Sequence, residues 1–194
     1  MSLSAAERFF SLLALIAAAG AIGIVGLRLV PAGRPTLLRL HDATLWLAWL
    51  VAATAMVGSL YFSEVQHFTP CRYCWFQRIA MYPLAVIMLV AALRRDHAVR
   101  WYAVPLAAIG LIISSYHYLI EWYPQLEGGS CDPVVPCSSF WFREFGFITL
   151  AFMALCGFAA ILALLLLVPH PPNQRSGIAQ TPTPHEMEET PHGH

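Results

Sequence analysis

Lysine is missing from this 194-residue chain: all eleven basic side chains are arginines, balanced by eleven acidic ones to a formal net charge of zero. No basic run is long enough to form a footprint for nucleic acid, and that class of partner is set aside. Charge as a whole is scarce, at 11% of residues against about 25% in soluble domains. Haem and flavin motifs are missing too, so any electrons that pass through this chain need another acceptor. What is abundant is apolar surface, 58% of residues against about 45–50% in soluble domains. Together these describe a polytopic membrane protein.

Five apolar stretches, approximately 9–30, 45–62, 75–93, 101–120 and 147–168, are long enough to cross a hydrocarbon core of about 30 Å, which takes about 20 helical residues. Lipid offers no partner for backbone polar groups, so each is expected to be a helix, and the short connections make a compact all-α bundle. Orientation follows from arginine placement. Arg28, Arg34 and Arg39 flank the first connection, and Arg94, Arg95 and Arg100 the third, which puts both in the cytoplasm. The second and fourth connections carry Glu64, Glu121, Glu127, Asp132 and Glu144 against Arg72 and Arg143, and face outward. The expected topology is five spans with the N-terminus outside and the C-terminus inside. A secretory signal is the alternative for the first span, but its apolar run is longer than a usual signal core, and inversion would put the arginine-rich connections outside. Gly20, Gly23 and Gly26 offer that span a close-packing face.

Five cysteines fall as two close pairs in polar loops and one, Cys156, read as a small core residue. Both pairs lie in the outward connections, where the compartment is oxidising or the thiols are the reagent. The first pair sits in Thr69-Pro70-Cys71-Arg72-Tyr73-Cys74-Trp75-Phe76-Gln77-Arg78. Thr69 is a candidate helix cap and Pro70 suits a first turn, so a helix starting here would put both sulfurs on one face over Arg78. A helix N-terminus and a guanidinium both favour the thiolate, the form that attacks disulfides. Arg78 itself stands inside an apolar span, where a charge is expensive and usually functional. The second pair, Cys131 and Cys137, precedes the segment Ser138-Ser139-Phe140-Trp141-Phe142-Arg143-Glu144-Phe145, whose aromatic density suits a membrane-surface anchor holding the cysteine loop near the first pair. His117, near the outer end of the fourth span, is either an interfacial histidine wetted by head groups or a donor to a bound polar group. Pro83 is expected to bend the third span. From residue 169 onward the chain has little to bury and is expected to be a disordered tail; its histidines, His170, His185, His192 and His194, lack a fixed geometry for a metal.

Three classes fit two cysteine pairs on one face of a membrane bundle: a redox enzyme passing thiol electrons into the membrane, a four-cysteine zinc module, and a protein stapled by disulfides. Zinc ribbons place paired ligands on tight turns, whereas Cys74 runs straight into a membrane helix, and no metal site is expected. Stapling leaves Arg78 without a task. For the redox class a lipid-soluble quinone fits, with Arg78 polarising a carbonyl oxygen.

Cys71-x-x-Cys74-x-x-Gln77-Arg78, then His117 with Tyr123-Pro124, then Cys131-Asp132, resembles the DsbB/BdbC family of disulfide-bond formation membrane proteins over roughly residues 45–168. The resemblance implies a four-helix redox domain at 41–168; the chain departs from the family in an extra transmembrane helix and cytoplasmic connection at 1–40, and a disordered cytoplasmic tail is expected at 169–194. It implies a bacterial inner-membrane enzyme that takes electrons from a secreted thioredoxin-fold oxidase of the DsbA or BdbD type and gives them to ubiquinone or menaquinone. It also implies roles: Cys74 beside the quinone with Cys71 as its partner, Arg78 and His117 in the quinone region, and Cys131 with Cys137 as the shuttle pair. The close spacing of that second pair is nearer the BdbC pattern than the enterobacterial one. A vitamin K epoxide reductase-like enzyme also combines CxxC with a quinone-linked bundle, but its motif characteristically lies late in the bundle.

Overall fold

The computed structural model of the chain describes residues 2–129, 131–132 and 134–169. The tail expected to be disordered, with its four histidines, lies outside the described residues beyond Pro169. Helices account for the ordered elements: α1 (Leu3–Leu29), α2 (Arg34–Leu40), α3 (Thr44–Leu60), α4 (Arg72–Arg94), α5 (Arg100–Trp122) and α6 (Leu150–Leu167). Among the described residues the extended pairing is a single isolated bridge between Glu144 and Ile148. Among the described residues five helical segments are long and apolar enough to cross a membrane, so the chain is a helical membrane bundle.

Helices α3, α4, α5 and α6 form a closed ring in which each packs on the next and α6 returns to α3, while α1 lies outside the ring against α6. Alanines at the seams, Ala48, Ala52, Ala103 and Ala107, are fully buried and let the helices approach closely. Leu84, Met88, Phe158 and Ile161 fill the interior, each at 0% exposure. Gly110 is required where α5 meets α6, because a Cβ there would overlap the ring of Phe158. The outward surface is equally apolar: Ile16, Ile22, Val86, Ile112 and Leu166 are each more than half exposed. A helix apolar all round is at home in lipid and not in water.

The ends of the bundle are tied by side chains. At one end Phe10 of α1 packs edge-on against Phe62, with ring centroids 5.5 Å apart, and Arg8 lies 4.0 Å from Glu144. At the other end His41 and His97, from the first and third connections, stack with centroids 4.2 Å apart. The second and fourth connections therefore share one end of the bundle with the N-terminus of α1.

Some local expectations are corrected. The first connection is not a plain loop but contains α2, with a proline in its first turn. Helix α4 starts at Arg72, and its cap is Cys71, not Thr69: backbone at Cys71 is still extended, with φ −70° and ψ 174°. Pro70 favours extended backbone at Thr69, which moves the start past both. Gly20, Gly23 and Gly26 do not form a close-packed contact, since a Cβ at any of them would meet nothing within 4 Å.

Candidate functional site

As cap of α4, Cys71 turns its sulfur back toward the helix axis, where Sγ accepts from the Cys74 amide at 3.4 Å. The two sulfurs are 3.0 Å apart and share a hydrogen bond, so closing a disulfide asks for a small side-chain movement. His117 reaches in from α5 and is 2% exposed, so it is not wetted by head groups. Its Nε2 lies 3.5 Å from Cys71 Sγ and 3.2 Å from the carbonyl oxygen of Cys137. Its Nδ1 lies 3.1 Å from the Gln77 side-chain amide. A carbonyl can only accept, so Nε2 carries the proton and Nδ1 accepts from Gln77 Nε2–H. The hydrogen bond from Cys74 and then that from His117 hold the Cys71 thiol far below its ordinary range, at about 4, against the opposing effect of burial. In the reduced pair the thiolate therefore belongs to Cys71.

Cys131 and Cys137 are joined in a disulfide, with Cα atoms 5.9 Å apart. Cys137 is completely buried, whereas Cys131 is partly exposed. The Cys137 amide donates to Glu127 Oε1 at 2.7 Å, which fixes the buried half of the disulfide over the end of α5. The aromatic segment beyond it is anchored as its composition suggests. Trp141 stacks on Phe68 with centroids 4.6 Å apart, and Phe142 packs on Phe62 at 5.4 Å. The Arg143 guanidinium lies between the rings of Phe140 and Trp122, at 4.0 and 4.3 Å, and its Nη2 donates to the Glu121 carbonyl. The second loop is thus pinned to the chain just before Cys71.

Arg78 points away from the sulfurs toward α3. Its Nε donates to Ser59 Oγ at 3.0 Å and its Nη2 to Ser59 O at 3.2 Å, while Trp75 covers it at 5.2 Å from the ring centroid. Tyr82 completes the group with a hydroxyl donating to Ser59 Oγ at 3.2 Å. Arg78, Cys74 and Gln77 line one end of a cavity of about 690 Å³ that continues between α1, α3 and α6 over an almost wholly apolar surface. Cys71 and His117 do not line it. They border a separate space of about 20 Å³ with Thr69, Glu121 and Val135, and Cys74 lines both spaces.

The residues singled out in the sequence thus lie around Cys74, which borders both spaces: Cys71 and His117, with the Cys131–Cys137 disulfide beyond them, on one side, and Arg78 on the other. The donor atoms of Cys71, Cys74 and His117 lie within 4.8 Å of one another, close enough for a metal to bridge. A four-cysteine site is not assembled, because Cys131 and Cys137 are bonded to each other. Three participants had no signal of their own for this site in the sequence. Ser59, Glu127 and Glu121, whose carboxylate accepts from Thr149 Oγ1 at 2.6 Å, are brought in by tertiary packing. Gln77 stood in the motif, but its partner is forty residues away.

The family model described as "Disulfide bond formation protein DsbB" matches residues 41–168. The chain is 46% identical over 125 residues to "Disulfide bond formation protein C" of Bacillus subtilis, covering 64% of this chain and 91% of that protein. It is 43% identical over 126 residues to "Probable disulfide formation protein" of Oceanobacillus iheyensis, covering 64% of this chain and 87% of the relative. To the protein of that name from Deinococcus radiodurans it is 43% identical over 135 residues, covering 64% and 88%. No solved structure matches the chain. With helices that suit a bilayer and two cysteine pairs converging on one buried histidine, the chain belongs to the DsbB family of membrane disulfide oxidoreductases.

Proposed function

We propose that this protein reoxidises an extracytoplasmic thioredoxin-fold thiol oxidase of the DsbA or BdbD type and passes the electrons to a membrane quinone, ubiquinone or menaquinone. The setting is a bacterial inner membrane with both cysteine loops and the N-terminus outside, in keeping with the arginines of the first and third connections. The observation that carries this reading is the asymmetry of the first pair: Cys71 meets His117 and lies outside the apolar cavity, while Cys74 borders both the space beside His117 and the apolar cavity with Arg78. Electrons entering at the loop pair and leaving into lipid would cross the site in that order.

In this scheme a thiolate of the partner attacks Cys131 Sγ, the bond to Cys137 breaks, and Cys137 leaves as a thiolate. The partner's second thiol displaces Cys131 from the mixed disulfide, which completes the partner's own disulfide. Cys137 then attacks Cys71 of an oxidised Cys71–Cys74 pair, Cys74 leaves as a thiolate, and Cys131 displaces Cys71 to restore the Cys131–Cys137 disulfide. Two electrons and two protons have moved from the partner to Cys71 and Cys74. Bound quinone supplies the two-electron, two-proton acceptor for their return to the disulfide. The donor set fits such a group: a guanidinium oriented by Ser59 at the mouth of a long apolar cavity offers a hydrogen bond to a carbonyl oxygen that gains charge.

The test mixes purified full-length protein with a reduced thioredoxin-fold oxidase and a short-tailed quinone. Two partner thiols should be oxidised for each quinone reduced, and Cys74→Ser should abolish quinone loss. Partner oxidation that proceeds unchanged without quinone would rule the reading out.

A further inference from the structure

The cavity that begins at Arg78 is far larger than a single quinone ring requires. Its volume of about 690 Å³ is within the range of about 300–1,000 Å³ for organic ligands. Its polar side chains, Ser59, Ser63, Gln77, Arg78 and Tyr82, gather near the α4 cysteines, with Thr54 further along α3. The remainder runs along α1 from Phe10 to Leu27, a helical distance of about 25 Å, most of a hydrocarbon core of about 30 Å. No polar side chain of α1 lines it among the described residues.

Helix α1 makes this space by standing off from α3. Near the cysteines Phe10 closes the gap, with its ring against Gly58 and Phe62, and Leu27 and Leu40 lie at the far end. Between them α1 presents Ala17, Gly20, Ala21 and Gly23 to the cavity. A Cβ at Gly20 or Gly23 would meet nothing within 4 Å, so these residues widen a space and do not serve a helix contact. The family match begins at residue 41, so this wall lies outside the region that the family model covers.

We infer that α1 is the wall of a tail site: it roofs the groove between α3 and α6 and binds the isoprenoid chain of the quinone whose head group meets Arg78. This deepens the quinone reading and rests on it. The occupant follows from continuity and shape: one end of the space carries the donors and the redox sulfur, and the rest is a long, narrow, apolar slot running along the span. The four-helix ring supplies the chemistry, and α1 supplies selectivity for tail length.

The experiment uses the full-length protein in lipid nanodiscs and two probes, a short-alkyl quinone and a polyprenyl quinone with a diazirine at the tail end. Illumination should crosslink the polyprenyl probe to the α1 peptide. Gly20→Leu combined with Gly23→Leu fills open space without a clash, and should raise the ratio of polyprenyl to short-alkyl Kd at least tenfold and remove the crosslink. Gly26→Leu, on the exposed face outside the cavity, should change neither. Binding of both quinones with an unchanged ratio in the double variant, or crosslinks confined to other helices, would overturn the tail site and leave the quinone reading intact, with a lipid acyl chain as the occupant. Failure of either quinone to bind the unmodified protein would overturn both.

Discussion

Cys71 Sγ and His117 Nε2 lie 3.5 Å apart, on residues separated by 46 positions and two different helices. The same imidazole nitrogen contacts the Cys137 carbonyl, so one buried ring touches both cysteine pairs. It does so without crossing into the apolar cavity. In the proposed scheme the ring is thus placed to stabilise charge on Cys71 when it exchanges with the loop cysteines.

The first expected outcome concerns pH. With Cys71 at about 4 in the folded protein and near 8.5 for a free thiol, the depressed value stabilises the folded state. That contribution is full above the free-thiol value and is lost as pH falls toward about 4. The ultraviolet absorbance of the thiolate in the reduced protein, minus that of Cys71→Ser, should fall by half near pH 4. His117→Ala should move the midpoint upward, yet keep it below the free-thiol value because the contact with Cys74 is the larger cause. A midpoint near 8 in the unmodified protein would contradict the assignment.

Arg78 is expected to serve the acceptor and not the thiols. A hydrogen bond to a charged group is worth about 1.5–3 kcal/mol, so Arg78→Ala should raise the quinone KM on the order of tenfold to a hundredfold. Exchange with the soluble partner should persist, since it occurs at Cys131. Ser59→Ala removes the Oγ acceptor but leaves the carbonyl, and should give a smaller rise. Arg78→Lys should rescue little, because an ammonium cannot match both bonds of the planar fork. Equal loss of both half-reactions in Arg78→Ala would indicate a structural role.

Exposure gives the order of exchange. Cys131 is partly exposed and Cys137 completely buried, so the partner should bond to Cys131. In Cys137→Ser, Cys131 is a free thiol that attacks the disulfide of the oxidised partner, and Cys137 is no longer there to displace that partner, so a covalent complex should accumulate through Cys131. Peptide mapping of the complex decides the matter: a bond through Cys71 or Cys74 would make the second pair a staple.

Much of this was legible in the sequence because the physics is local. Twenty-residue apolar runs have one stable form in lipid, so the spans were readable to within a few residues, and a lone arginine inside one marked Arg78. Long-range pairings were not legible. Nothing near Ser59 announces that it orients Arg78, and nothing near Glu127 announces that it receives the Cys137 amide. His117 offered two readings, both of them exposed to solvent, head groups or ligand; its burial depends on how α4 and the second loop close over it. The cap of α4 was misplaced by two residues because Thr69 and Pro70 mimic a helix start, and the α1 glycines were read as a contact because spacing cannot distinguish a seam from a gap.

Gln77 supplies a final test, in which two substitutions should act in opposite directions. Its amide donates to His117 Nδ1 at 3.1 Å, which leaves Nε2–H facing Cys137 O and Cys71 Sγ. In Gln77→Glu the new carboxylate accepts, so Nδ1 must also carry a proton, and the ring becomes an imidazolium held between carboxylate and thiolate. The thiolate midpoint of Cys71 should move to lower pH. Gln77→Leu leaves a buried ring nitrogen unpaired, at a cost of about 1–3 kcal/mol, and frees the ring to turn away from Cys71, so the midpoint should rise. Damage to packing alone would shift both variants the same way. Titration of thiolate absorbance in the two proteins separates the cases: midpoints on opposite sides of the unmodified value support the tautomer assignment, and midpoints on one side refute it.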